Sequence, residues 1–167
     1  HYNDVLVHNQ KALATDRRFL AYSDDPGVYL VDVIHDFHFA IYGAMFLGQY
    51  TPAIAAAEEL IATIPEAVLR IESPPMADFL EGYLTMKQHV LVRFGKWREI
   101  VEQNMPEDQE LYCSKIAMMH YAKAVAHSAL GNVAEAETEK AAMTGIRSCS
   151  GCCKASGRMA WCRTSCS

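Results

Sequence analysis

The chain has 167 residues, 51% of them hydrophobic, with a formal net charge of -5 at pH 7. That is enough chain for one domain with its own core. A mildly acidic balance without a Lys/Arg cluster excludes nucleic acid as the main partner, because phosphate contacts need grouped cations. No apolar run approaches the roughly 20 residues that cross a bilayer, so a membrane partner is not expected either.

Taken in chain order, the periodic blocks read as helices separated by breakers. A helix is expected near 3–20, a loop over 21–27 containing Asp24-Asp25-Pro26-Gly27, and a long helix near 28–47. In that helix Phe37, Ile41, Ala44 and Leu47 recur at steps of four and three, one face of a helix. Thr51 to Ile64 makes the next helix, with Pro65 near its end. Ser73 is placed to cap a helix with Pro74 in its first turn, where a missing N–H is harmless. That helix runs to Phe94. A short helix follows at 96–104, a long one at 108–130 and a last one at 132–144. Alternating runs and Asn-Gly hairpin turns are missing from the sequence, so the expected class is all-α, with short turns between antiparallel helices.

Three of these turns are spelled alike: LGQYTPAI (47–54), FGKWREIV (94–101) and LGNVAEAE (130–137). Gly48, Gly95 and Gly131 are suited to the left-handed conformation that ends a helix. Tyr50, Trp97 and Val133 are expected to pin the turn against the core, and Ala53, Ile100 and Ala136 to sit where helices cross closely. The opening HYNDVL fits the same frame without a glycine, with Tyr2 matching Tyr50 and Val5 matching Ala53. The first residue is His1 rather than Met, and the expectation is a fragment, a processed product or an incomplete gene model.

With these turns the chain resembles a tetratricopeptide repeat (TPR) protein, built of stacked helix-turn-helix units of about 34 residues. The best match is 34–67: Phe37 at the large aromatic site, Gly48-Gln49-Tyr50 in the turn, Ala53 as the close-contact alanine and Pro65 at the end. The stretches TDRRFLAY and HDFHF also resemble a poorly characterised group of TPR proteins, which carries no activity over to this chain. The repeats are degenerate. The interval from Gly48 to Gly95 is longer than that from Gly95 to Gly131, with the extra length around VLRIESPPMADF, and His120 stands at a large aromatic site. A related α-solenoid stays open. The resemblance implies a helical repeat domain over 1–147, with a partial repeat at 1–20 and repeats at about 28–67, 74–105 and 108–145, wound as a right-handed superhelix.

In a TPR one stripe of each first helix lines a concave groove. Here those stripes are His35, His38, Tyr42 and Met45; Gly82, Thr85, His89 and Val92; and Met118, Tyr121, Val125 and Ser128. Each is spaced three, four, three and so shares a face. Arg93 is the one nearby cation. His120 and His127 are expected to pack between helices through hydrogen bonds. The pair His35 and His38, with His89 as a third ligand, could hold a metal ion. Asp36 between them points about 100° away around the helix, and the spacing is not that of a zinc protease. Plain structural histidines are the third reading. Glu58, Glu59, Glu135, Glu137 and Glu139 read as solvated, Asp16-Arg17-Arg18 as a salt-bridged helix end, and Trp97 as packed.

Cys149, Cys152, Cys153, Cys162 and Cys166 crowd the C-terminus, leaving Cys113 alone in the body. The body therefore folds without disulfides, which suits the cytoplasm. The segment 148–167, with Trp161, breaks from the helical pattern. A zinc module, a lipid-modified or disulfide-forming tail and a disordered or non-native end are the readings for it.

Catalytic sets, phosphate loops and paired carboxylates do not stand out. The expectation is a non-catalytic scaffold, without cofactor, that binds a protein or peptide segment in the groove. The alternatives are a metal-binding protein using the groove histidines and a structural fragment of a longer solenoid. Exposed terminal helices would permit self-association.

Overall fold

A computed structural model describes residues 1–23, 27 and 29–149, with the backbone alone over 146–149. Among the described residues every regular element is a helix, so the fold is all-α. The chain forms two compact units, 1–64 and from Pro65 onward.

The first unit holds α1 (Tyr2–Leu20), α2 (Tyr29–Phe46) and α3 (Tyr50–Thr63). Its core is the inward face of α2, where Val33, Ile34, Phe37, Ile41 and Ala44 are closed to solvent. Burying such side chains is worth roughly 1.5–3 kcal/mol each. α1 lies close because Gly43 has no side chain: a Cβ there would come within 3.1 Å of the Leu6 backbone nitrogen.

The second unit holds α4 (Glu66–Leu69), α5 (Met76–Leu80), a 3-10 turn (Glu81–Thr85), α6 (Met86–Arg93), α7 (Trp97–Val101), α8 (Cys113–Leu130) and α9 (Val133–Cys149). Leu80, Val90, Leu91, Ile100, Ala122 and Ala126 form its interior.

The three similar turns fold alike. Gly48, Gly95 and Gly131 all have positive φ, at 71°, 65° and 83°. The residue after each glycine donates its N–H five residues back at 2.9 Å: Gln49 to Ala44, Lys96 to Leu91 and Asn132 to His127. Each glycine N–H reaches three residues back at 3.2 Å, to Met45, Val92 and Ser128. These paired bonds satisfy carbonyls that a helix end would otherwise strand. Ala53, Ile100 and Ala136 are buried. Each donates its N–H to the polar residue after the glycine, which starts the next helix.

Several sequence expectations are corrected. The single helix up to Phe94 is broken into α5, the 3-10 turn and α6. Gly82 lies in the break and Thr85 Oγ1 donates to the Gly82 carbonyl at 2.6 Å, a local bond that competes with regular α-helix. Pro75, not Ser73, stands at the N-cap of α5. α8 starts at Cys113 rather than 108, because the Asp108 carboxylate accepts the Leu111 N–H at 3.0 Å in a turn of its own. The extra length after Pro65 builds α4, whose Glu66 pairs with Arg70 at its C-cap, while Arg70 also reaches Asp108 at 2.8 Å. α9 runs through Gly145, which keeps right-handed backbone, to Cys149. Val133 is 69% exposed, too short a side chain to pin its turn. The readings of the Cys-rich tail fall outside the described residues from Ser150 onward.

Candidate functional site

In the second unit α6 and α8 face each other across an open cleft of about 310 Å³. It is lined by Gln88, His89 and Val92 from α6 and by Met118 and Tyr121 from α8. His89 and Val92 are three apart on α6, and Met118 and Tyr121 are three apart on α8, so each pair shares a face. The structure thus brings together four residues that the repeat frame placed in a groove. A second concavity of about 320 Å³ lies farther along α8, between Tyr121, Val125 and Ser128 on that helix and Glu137, Lys140 and Met143 on α9. Tyr121 is 44% exposed and stands between the two.

The 3-10 turn positions α6 against α8. The buried Glu81 carboxylate accepts the Lys115 backbone N–H at 2.9 Å, in the first turn of α8. A carboxylate there satisfies a stranded donor and complements the positive end of the helix. Behind the cleft, Gln88 Nε2 donates to Gln103 Oε1 at 2.9 Å, and Lys123 Nζ donates to the Gln103 carbonyl at 2.7 Å. Burial pushes the His89 imidazole below its ordinary range, which favours its neutral form.

Other expected site residues lie elsewhere. Thr85 is buried and spends its hydroxyl on Gly82, so it does not line the cleft. Arg93 is exposed and does not line it either. Gln88 does line it. The sequence frame did not single out Gln88, whose polar neighbours Lys87 and His89 leave no periodic sign of its burial.

In the first unit Met45 is 6% exposed and packs inward, a correction to its place in the groove stripe. The exposed stripe of α2 is rotated toward Phe39 and Phe46. His35 is exposed beside Phe39, with ring centres 6.3 Å apart. His38 meets Tyr42 edge-on at 4.8 Å, and Phe46 stacks on Tyr2 at 4.7 Å. Asp16 is no surface salt-bridge residue: it is buried and accepts the Tyr29 hydroxyl at 2.5 Å. Burial and the nearby Asp16 carboxylate push Asp36 above the ordinary carboxylate range. Arg17 pairs with Glu59, so that glutamate is not simply solvated. His120 is half-buried and bonded to Glu139, another glutamate first read as solvated, and His127 lies 3.4 Å from the Asn132 amide.

Among the described residues, no three His, Cys, Asp or Glu side chains are grouped as a metal ion would require. No helix among them is long and apolar enough to cross a membrane. Compared with protein-family models, curated proteins and solved structures, the chain matches none.

Proposed function

We propose that this chain is a TPR-like α-solenoid acting as a non-catalytic interaction scaffold, and that the cleft between α6 and α8 binds a segment of a protein partner. The observation that carries this reading is the convergence of His89, Val92, Met118 and Tyr121 on one cleft. Two facing helices with partly apolar, partly hydrogen-bonding walls suit an extended segment whose side chains enter in turn. The threefold turn geometry at Gly48, Gly95 and Gly131 supports the helical-repeat part of the reading. Cys113, the one cysteine before residue 149, is buried, which suits a reducing compartment, and we assign the chain to the cytoplasm.

Selection from a displayed library of random short peptides tests the proposal. Peptides that bind the chain are expected to lose at least about tenfold in affinity, or 1.4 kcal/mol, against Tyr121→Arg or Val92→Arg. Each change puts a charge on a cleft wall. Folded variants that bind every selected peptide as the unaltered chain does would contradict the assignment.

A further inference from the structure

Phe39 and Phe46 stand on the outer face of α2 with 52% and 56% of their surface exposed. They belong to one row of rings. His35 leads to Phe39, Phe39 to His38, His38 to Tyr42 and Tyr42 to Phe46, and Phe46 stacks on Tyr2 of α1, with successive centres 4.7–6.3 Å apart. From His35 to Phe46 the row covers about 16 Å of helix. The core of the first unit does not use Phe39 or Phe46; it is built on Phe37, Ile41 and Ala44. A contiguous exposed apolar patch marks a site of contact with another molecule.

The charges around the row restrict that molecule. Asp32 lies one turn before His35 and Asp36 one turn before Phe39, so both carboxylates adjoin the rings. α2 and α3 contain no Lys or Arg. On α1, Arg17 pairs with Glu59. Lys11 and Arg18 are exposed, and each follows a buried leucine, Leu6 or Leu13, by five residues, about 140° around the helix. Leu6 is the residue set against Gly43 of α2, so these two cations lie on the far side of α1. Burial, and then the charges of Asp16 and Asp32, hold the Asp36 carboxyl above its ordinary range. A cation settling beside Asp32 and Asp36 would relieve that repulsion. A phosphate backbone would add to it.

The rings favour a cation of one shape. A guanidinium stacks flat on an aromatic face, sheds water more easily than an ammonium, and reaches a carboxylate with two hydrogens at once. These rings lie in a row and do not close into a cage, which suits a flat group better than a round quaternary ammonium. In an extended segment alternate side chains fall on the same side about 7 Å apart, so two or three of them match the row.

We infer that the outer face of α2 is a second binding surface and that it takes a partner segment carrying alternate arginines, one guanidinium on Phe39 pairing with Asp32 and Asp36 and the next over Tyr42 and Phe46. This is independent of the cleft, whose lining holds no carboxylate.

The probe is a dye-labelled peptide of alternating Arg and Gly. Two peptides of the same length replace Arg by Lys or by citrulline, its neutral isostere. Binding to the intact chain is read by fluorescence anisotropy at about pH 8, where an ordinary imidazole is neutral. The Arg peptide is expected to bind at least about threefold tighter than the Lys peptide and about tenfold tighter than the citrulline peptide. Phe39→Ser and Phe46→Ser, both at exposed positions, should each weaken it by about threefold. Asp32→Asn should weaken it by about twofold, and Tyr121→Arg in the cleft should leave it unchanged. If neither Ser variant folds, the three peptides on the unaltered chain still decide. Equal binding of the Arg and Lys peptides, or binding indifferent to both folded Ser variants, would reduce the effect to net charge and overturn the inference. No binding of the Arg peptide at about 1 mM overturns it as well, and each of these results leaves the cleft reading standing.

Discussion

The Glu81 carboxylate accepts the Lys115 backbone N–H at 2.9 Å, joining the turn before α6 to the first turn of α8. This hydrogen bond ties together the two segments that form the cleft. Glu81→Leu should destabilise the protein by about 0.5–2 kcal/mol, the cost of losing a helix cap. Glu81→Gln, which keeps an acceptor, should retain most of that stability. Urea unfolding of both variants checks the difference; equal losses would mean that the contact with Lys115 is not what holds α8.

The three glycine turns should respond alike to substitution. Gly48, Gly95 and Gly131 occupy left-handed backbone, where a Cβ costs about 1–2 kcal/mol. Alanine at any one of them is expected to lower stability by that amount, and asparagine by less, since it tolerates this conformation better. Thermal melts of the three pairs of variants measure this.

Gly43 is a different case, because its φ is ordinary and its constraint is space. A Cβ would meet the Leu6 backbone nitrogen at 3.1 Å and the Tyr2 carbonyl at 3.3 Å. Backbone cannot step aside as a flexible side chain can. Gly43→Ala should cost about 1–3 kcal/mol, the range for overpacking. Faster amide exchange in α1 is the local signature to look for.

His89 makes stability depend on pH. Its folded pKa lies below the ordinary 6.5 because burial disfavours the imidazolium. Between the two values the unfolded chain binds more protons, so stability falls as pH drops through 6.5 toward the folded pKa. His89→Gln removes this contribution. The stability difference between the unaltered chain and the variant should shift against the unaltered chain on acidification. A difference constant from neutral pH to below pH 6.5 would refute the sign.

The helical class and the three turns were legible in the sequence, because a glycine followed by a polar residue and, at a fixed offset, a buried Ala or Ile leave few other ways to end and restart a helix. Phe37 was legible as a packing residue for the same reason: it repeats with Ile41 and Ala44. The outward face of α2 was not. The TPR frame put Met45 in the groove, yet Met45 is buried and Phe39 and Phe46 are exposed. An apolar stripe nearly continuous around a helix does not say which apolar residues stay outside. The break over Glu81–Thr85 was also hidden. It depends on a Thr85 hydroxyl bonding locally and on Glu81 serving a distant helix, and neither leaves a periodic trace. Gln88 bonds to Gln103, which the fold brings beside it.

Mapping a selected peptide onto an isotope-labelled chain by NMR tests the central claim most directly. The account predicts the largest chemical-shift changes at His89, Val92, Met118 and Tyr121, with the Gln88 side-chain amide moving alongside them. Changes confined to other surfaces, such as the Phe39 and Phe46 stripe, or no changes at saturating peptide, would contradict it.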